Sequence, residues 1–304
     1  MRRCGSVPQV YTVRPVVPAE DLPRLEELFD VVTLADGHRP IGEHVYLSLT
    51  TSGPEPAAGV VVEPEGGPIV GYAGLTPATE AGSWTVEFAL HPLWRTPELQ
   101  HLLITEAVEA LRARGARRAR VWTYHPELAS ALVAEGFEPE RELRQLRRPL
   151  PAPEPRFPPD VAVRGFRPGV DEEVWLEVNN AAFAGHPENG SWTEEILAAR
   201  QRQDWFDPEG LRMAWIGGDL AGFCWTKRHD RALGEIYVIA VAPGYRRRGL
   251  GRALVLEGLR YLHEHGSTVG MLYVDAGNLP GLALYDALGF RLHHVDRSFV
   301  RELG

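Results

Sequence analysis

Arg246-Arg247-Arg248-Gly249-Leu250-Gly251 is the stretch on which the fold of this chain turns. It follows an apolar segment, Ile236 to Val241, and opens an apolar-periodic one, Arg252 to His265, so it reads as strand, glycine-rich turn and helix. Two glycines at a spacing of two let the backbone approach a ligand with no Cβ in the way. The first N–H groups of the new helix point at that ligand, and the helix dipole favours negative charge there. Three neighbouring arginines add to the field, and the combination suits a pyrophosphate. A P-loop would need Gly-Lys followed by Ser or Thr, and a dinucleotide fingerprint a third glycine and a distal acid. Neither is present. A solvated, arginine-rich turn is the competing reading.

Length and composition narrow the alternatives. With 304 residues and 44% hydrophobic content, one or two well-packed domains are expected. A net charge of −9 argues against a general nucleic-acid binder. Cys4 and Cys224 are the two cysteines, too few for a disulfide framework, and a reducing cytoplasm fits. Cys224, among Leu220, Phe223 and Trp225, reads as a small buried apolar residue. No signal peptide and no bilayer-spanning run are expected, and a monomer free of membrane is the expected state. His263, His265, His293 and His294 lack metal-ligand spacing to a Cys or Asp partner, so no metal is expected.

The chain reads as two copies of one α/β unit. Residues 149–160 are proline-rich and read as an extended linker between a first half, 1–148, and a second, 161–304. Val86 to Pro92 corresponds to Tyr237 to Pro243, and an amphipathic helix, a β-rich segment, a second helix and Gly-Phe follow in each half. The expected fold is two tandem domains, each a mixed, mostly antiparallel sheet flanked by helices. The copies differ where chemistry would sit. Arg246 matches Arg95, but Gly249 falls opposite Glu98, Gly251 opposite Gln100, Glu235 opposite Trp84 and Tyr285 opposite Leu132. The second half is therefore expected to be catalytic, and the first structural or a wall of the substrate site.

Arg-x-x-Gly-x-Gly after a strand resembles motif A of the GNAT superfamily of N-acetyltransferases. The resemblance implies acetyl-CoA as co-substrate. Its pyrophosphate would lie on Arg246, Arg247, Arg248, Gly249, Leu250, Gly251 and Arg252, and its pantetheine arm along Ile239, Ala240 and Val241. It also implies a bulge in that strand, freeing a main-chain N–H for the thioester oxygen. Leu282 to Phe290 resembles motif B, whose tyrosine, here Tyr285, protonates the CoA sulfur. Asn278 reads as a helix N-cap, and the family places CoA contacts there and in the turn that follows, Leu279, Pro280, Gly281, Leu282 and Ala283. Glu235, at the start of the motif A strand, could take the proton from the amine, directly or through water; it can also be read as an ordinary strand-end glutamate. Tyr285 can equally be read as a packing tyrosine.

Narrower blocks point further. Pro40 to Val45, His186 to Thr193, Trp225 to His229, Gly234 to Val238 and Met271 to Asp275 are similar to the mycothiol synthases, actinobacterial enzymes built of two GNAT domains. The resemblance spans the chain and implies transfer of acetyl to the cysteine amine of cysteinyl-glucosaminyl-inositol. Glu43, Glu188, Lys227, Glu235 and Tyr273 would then hold this polyhydroxylated acceptor, and Glu43 would require a cleft shared by both halves. Lys227 is the one lysine beside 31 arginines, which suggests a site wanting an ammonium; Glu43 and Glu188 can be read as surface and turn residues. A tandem GNAT acting on another amine, or a non-catalytic acyl-CoA-binding regulator, are the alternatives.

Overall fold

The structure, a computed structural model, describes residues 10–37, 39–50, 58–78, 80–185 and 190–304, with the side chains of Glu43 and His44 also outside the description. In chain order the first elements are β1 (Tyr11–Pro15), α1 (Pro18–Asp36), α2 (Glu43–Thr50), β2 (Ala58–Pro64), β3 (Gly71–Pro77) and β4 (Ser83–Leu90). Then come α3 (Pro97–Arg112), β5 (Arg118–Thr123), α4 (Pro126–Ala134) and β6 (Glu138–Pro149). The order repeats from β7 (Val161–Arg164), α5 (Glu172–Ala182), α6 (Glu194–Gln201), β8 (Leu211–Ile216), β9 (Asp219–Arg228) and β10 (Leu233–Val241). It closes with α7 (Leu250–Glu264), β11 (Val269–Asp275), α8 (Leu279–Ala287) and β12 (Arg291–Glu302). Among the described residues no helix is long and apolar enough to cross a membrane.

Two compact units result, and neither is one half of the sequence. Met1–Glu142 with Asp296–Gly304 form the first; Leu143–Val295 form the second. In the first, β1 to β4 pair antiparallel in order, β4 pairs parallel with β5, and the last strand of the chain, from Arg297 to Glu302, lies antiparallel on β5. In the second, β7, β8, β9 and β10 are antiparallel neighbours, β10 pairs parallel with β11, and Leu143 to Pro149 of β6 lies antiparallel on β11. Each half's closing strand thus completes the sheet of the other unit. Each sheet is mixed and mostly antiparallel, as expected.

The proline-rich stretch is irregular but does not hang free. Leu150, Ala152 and Phe157 pack against the second unit's core, where Leu146, Leu254, Leu259 and Leu272 meet. Proline stops regular ladders, yet its apolar neighbours still gain from burial.

One device recurs that the sequence did not announce. Asp21 takes both guanidinium nitrogens of Arg14 and the backbone N–H of Val17; Asp171 takes Arg164 and the backbone N–H of Arg167. Both carboxylates are buried; Asp21 ties β1 to α1, and Asp171 ties β7 to the start of α5. Burial pulls the Asp171 carboxyl upward, but the bonds from Arg164 and Arg167 outweigh it and hold it well below the usual range.

Candidate active site

Strand β10 organises the second unit. It pairs with β11 only from Leu233 to Ile236, opposite Val269 to Leu272, and beyond that point the two ladders part. On its other side the register with β9 shifts between Ile236 and Val238, so Tyr237 is an extra residue. A bulged residue drops out of the ladder and bends its strand. The bulge implied by the GNAT resemblance is therefore present, two residues before Ile239. The first unit lacks the bulge: there β4 keeps an unbroken register with β3, and it stays paired to β5 from Ser83 through Glu87.

Ile239, Ala240 and Val241 line a cavity of about 180 Å³ with Arg246, Ala182 and Phe183. Arg246 donates to the carbonyl of Ala182 (3.2 Å). The turn that follows is conformationally demanding: Arg247 and Gly249 have φ of 62° and 80°. Gly249 is the N-cap of α7 and supplies no side-chain cap, so no side chain of the cap residue takes up the first-turn N–H groups. A Cβ on Gly251 would meet only side-chain atoms of Leu284 and Val241 at 3.9 Å, ordinary contact. The packing around it does not require glycine there. Arg247, Arg248 and Arg252 are exposed, with Arg248 paired to Asp160 (2.7 Å), and Leu250 is buried.

The first unit has filled the equivalent place. Thr96 caps α3 by accepting from the Leu99 N–H (3.3 Å). Arg95, the counterpart of Arg246, is held by two bonds to Asp36 (2.9 and 2.6 Å), which also accepts from Tyr124 (2.8 Å). Burial works against the Asp36 anion, but Arg95 and Tyr124 outweigh it and keep its carboxyl below the usual range. A fixed carboxylate occupies the arginine that a phosphate would want.

At the closed end of the splay, Glu235 is 7% exposed and its carboxylate contacts His229 Nε2 at 2.7 Å. Lys227 stands directly opposite on β9 and Met271 on β11. The Lys227 ammonium lies 4.6 Å from the centre of the Trp205 ring and 5.4 Å from that of Tyr237, a cation–π arrangement. Those two rings meet edge to face; Trp225 meets Tyr237 and Trp192 edge to face and Trp205 at a tilt. His229 is a site residue that sequence reasoning quoted without giving it a role; it reaches Glu235 because the β9–β10 turn folds tightly, Asp230 accepting from the N–H groups of Ala232 and Leu233.

Tyr285 is buried beside Phe290, and Asn278 caps α8 by accepting from Gly281 N–H (3.0 Å). Burial, with a smaller effect of Cys224, pushes the Tyr285 phenol up to about 12. In the folded chain this phenol is therefore a weaker acid than a free tyrosine. Cys224 is fully buried and its thiol is raised by that burial, which suits an inert packing residue. Leu282 packs on the same core, while Leu279, Pro280 and Ala283 are exposed and Gly281 partly so. Tyr273, on β11, accepts from Gln145 Nε2 (2.7 Å). Of the remaining expected residues, Glu43 opens α2 in the first unit with its side chain undescribed, and His186 and Glu188 lie outside the described residues. Among the described residues no cluster of His, Cys, Asp and Glu could hold a metal.

Residues 173–290 match the acetyltransferase (GNAT) family. The mycothiol acetyltransferase of Thermomonospora curvata is 43% identical over 88% of this chain and 90% of that protein. That of Streptomyces coelicolor is 38% identical over 99% and 97%. Among solved structures, a GCN5-related N-acetyltransferase from Sphaerobacter thermophilus is similar with a TM-score of 0.78 at 24% identity, covering 98% of this chain and 97% of that one. A tandem GNAT protein from the clavulanic acid biosynthesis pathway has a TM-score of 0.75 at 20% identity, covering 97% and 99%.

Proposed function

The chain belongs to the mycothiol acetyltransferases of the GNAT family, and from that premise we propose that it moves acetyl from acetyl-CoA to the cysteine amine of cysteinyl-glucosaminyl-inositol. Glu235 is the base, Tyr285 the proton donor, and the second unit carries the chemistry. The observation behind this reading is the placement of a buried carboxylate, held at 2.7 Å by a histidine, where β10 and β11 part.

Bound acetyl-CoA supplies the acetyl group as a thioester. Arg246 to Arg252 and the open start of α7 hold its pyrophosphate. The bulged strand from Tyr237 to Val241 offers main-chain N–H groups to the thioester oxygen. Glu235 removes the proton from the acceptor ammonium, and His229, partly exposed, gives that proton a way to solvent. A cysteinyl α-amine titrates near 8 or below, so a carboxylate suffices. Tyr285 hydrogen-bonds the leaving sulfur and gives it a proton. Lys227 and Tyr273 hold acceptor hydroxyls.

The first unit takes no acetyl-CoA in this reading, because Asp36 holds Arg95 and Thr96 caps α3.

The decisive measurement is CoA release with cysteinyl-glucosaminyl-inositol, against glucosaminyl-inositol without the cysteine. Turnover with the first alone is expected. Equal rates with both, or with neither, would overturn the acceptor assignment.

A further inference from the structure

The strand that the first half of the sequence lends to the second unit carries polar residues on the catalytic face. Gln145 stands directly opposite Tyr273, and Arg147 directly opposite Met271. Met271 in turn stands opposite Glu235, and Glu235 opposite Lys227. Direct neighbours across a ladder share a face. Lys227, Glu235, Met271 and Arg147 therefore form one row across four strands. Their alternating neighbours Ile236, Leu272 and Leu146 point the other way, into the core under α7 and α8.

Gln145 is 1% exposed, and both ends of its amide are engaged: Nε2 donates to the Tyr273 hydroxyl (2.7 Å) and Oε1 accepts from Arg147 Nε (2.7 Å). One buried amide thus fixes two side chains. The bond to Arg147 takes its Nε; among the described residues the two outer nitrogens make no hydrogen bond or ion pair, although the Asp230 carboxylate acts on the guanidinium electrostatically. His293 lies within electrostatic reach, its imidazole lowered by partial burial and then by the Arg147 charge. An arginine fork, a tyrosine hydroxyl and an imidazole supply both donors and acceptors.

We propose that Arg147, held by Gln145 together with Tyr273, is a specificity-determining residue that binds hydroxyl groups of the acceptor's sugar–cyclitol portion. It rests on the acceptor assignment above. Arg147 lies two strand spacings from Glu235, roughly 10 Å. An acceptor whose amine sits at Glu235 reaches that distance with its polyol end, not with its cysteine. A planar fork of donors suits vicinal hydroxyls, which present two oxygens side by side. Gln145 is a positioning residue in this arrangement.

Arg147→Gln tests the proposal with two acceptors, the intact one and cysteinamide, which has the amine and no sugar. Acceptor KM should rise about tenfold or more for the intact acceptor, since a hydrogen bond from a charged group is lost. The acetyl-CoA KM should stay unchanged, and with cysteinamide variant and wild type should match. Gln145→Met should show the same pattern, because it releases both Arg147 and Tyr273. Equal losses with both acceptors would mark a merely structural role, and no loss with either would mark none; each overturns the proposal. Wild-type protein inactive on the intact acceptor would remove the acceptor assignment and the inference with it, an outcome visible before any variant is made. Circular dichroism of both variants confirms that they fold.

Discussion

Glu235 and Tyr285 are the residues on which the chemistry is proposed to rest, and they are separable by experiment. Glu235→Gln keeps the shape and removes the base, so kcat should fall by about 10²- to 10³-fold with acetyl-CoA affinity unchanged. Retained turnover would place the base elsewhere. Tyr285→Phe should lower kcat without altering the form of the pH profile. The phenol, raised to about 12 by burial, stays protonated throughout the assay range, so it contributes no alkaline fall below about pH 11. A wild-type alkaline limb near pH 10 that the Phe variant abolishes would contradict this. Both stand out as candidates in the sequence because the degenerate copy has Trp84 and Leu132 in their places. Lys227 was legible as an isolated lysine. His229 and Gln145 were not, since their importance depends on what a turn and a neighbouring strand bring to them.

The strand–turn–helix element shows how far pattern reading reaches. Glycine spacing announced the start of α7, and the structure gives Gly249 a positive φ there. Gly251 has room for a methyl group, so Gly251→Ala should leave the urea unfolding midpoint unchanged while raising the acetyl-CoA KM about tenfold. An unchanged KM would mean that no ligand lies against this position. The bulge at Tyr237 was expected only through family resemblance. Nothing in Ile236-Tyr237-Val238 encodes it, because a bulge is a mismatch between two strands rather than a property of one.

For the whole molecule, the repeat was legible and the exchange of closing strands was not. Both halves end in a strand after Gly-Phe, and the alternation along Leu143 to Pro149 suits either sheet. A fragment 161–304, cut where the prolines suggest, lacks the strand that meets β11 at seven register positions. It should unfold in urea at a lower midpoint and less cooperatively than a fragment 143–295. Equal midpoints would show the borrowed strand to be dispensable.

The same exchange sets a timetable for biosynthesis. About 170 residues separate the end of β5 from the strand that covers it. At about 5–20 residues per second, a ribosome leaves that edge open for roughly ten to thirty seconds after β5 emerges. Exposed strand edges invite pairing with other chains, so crowded polysomes are where this protein is most vulnerable to aggregation.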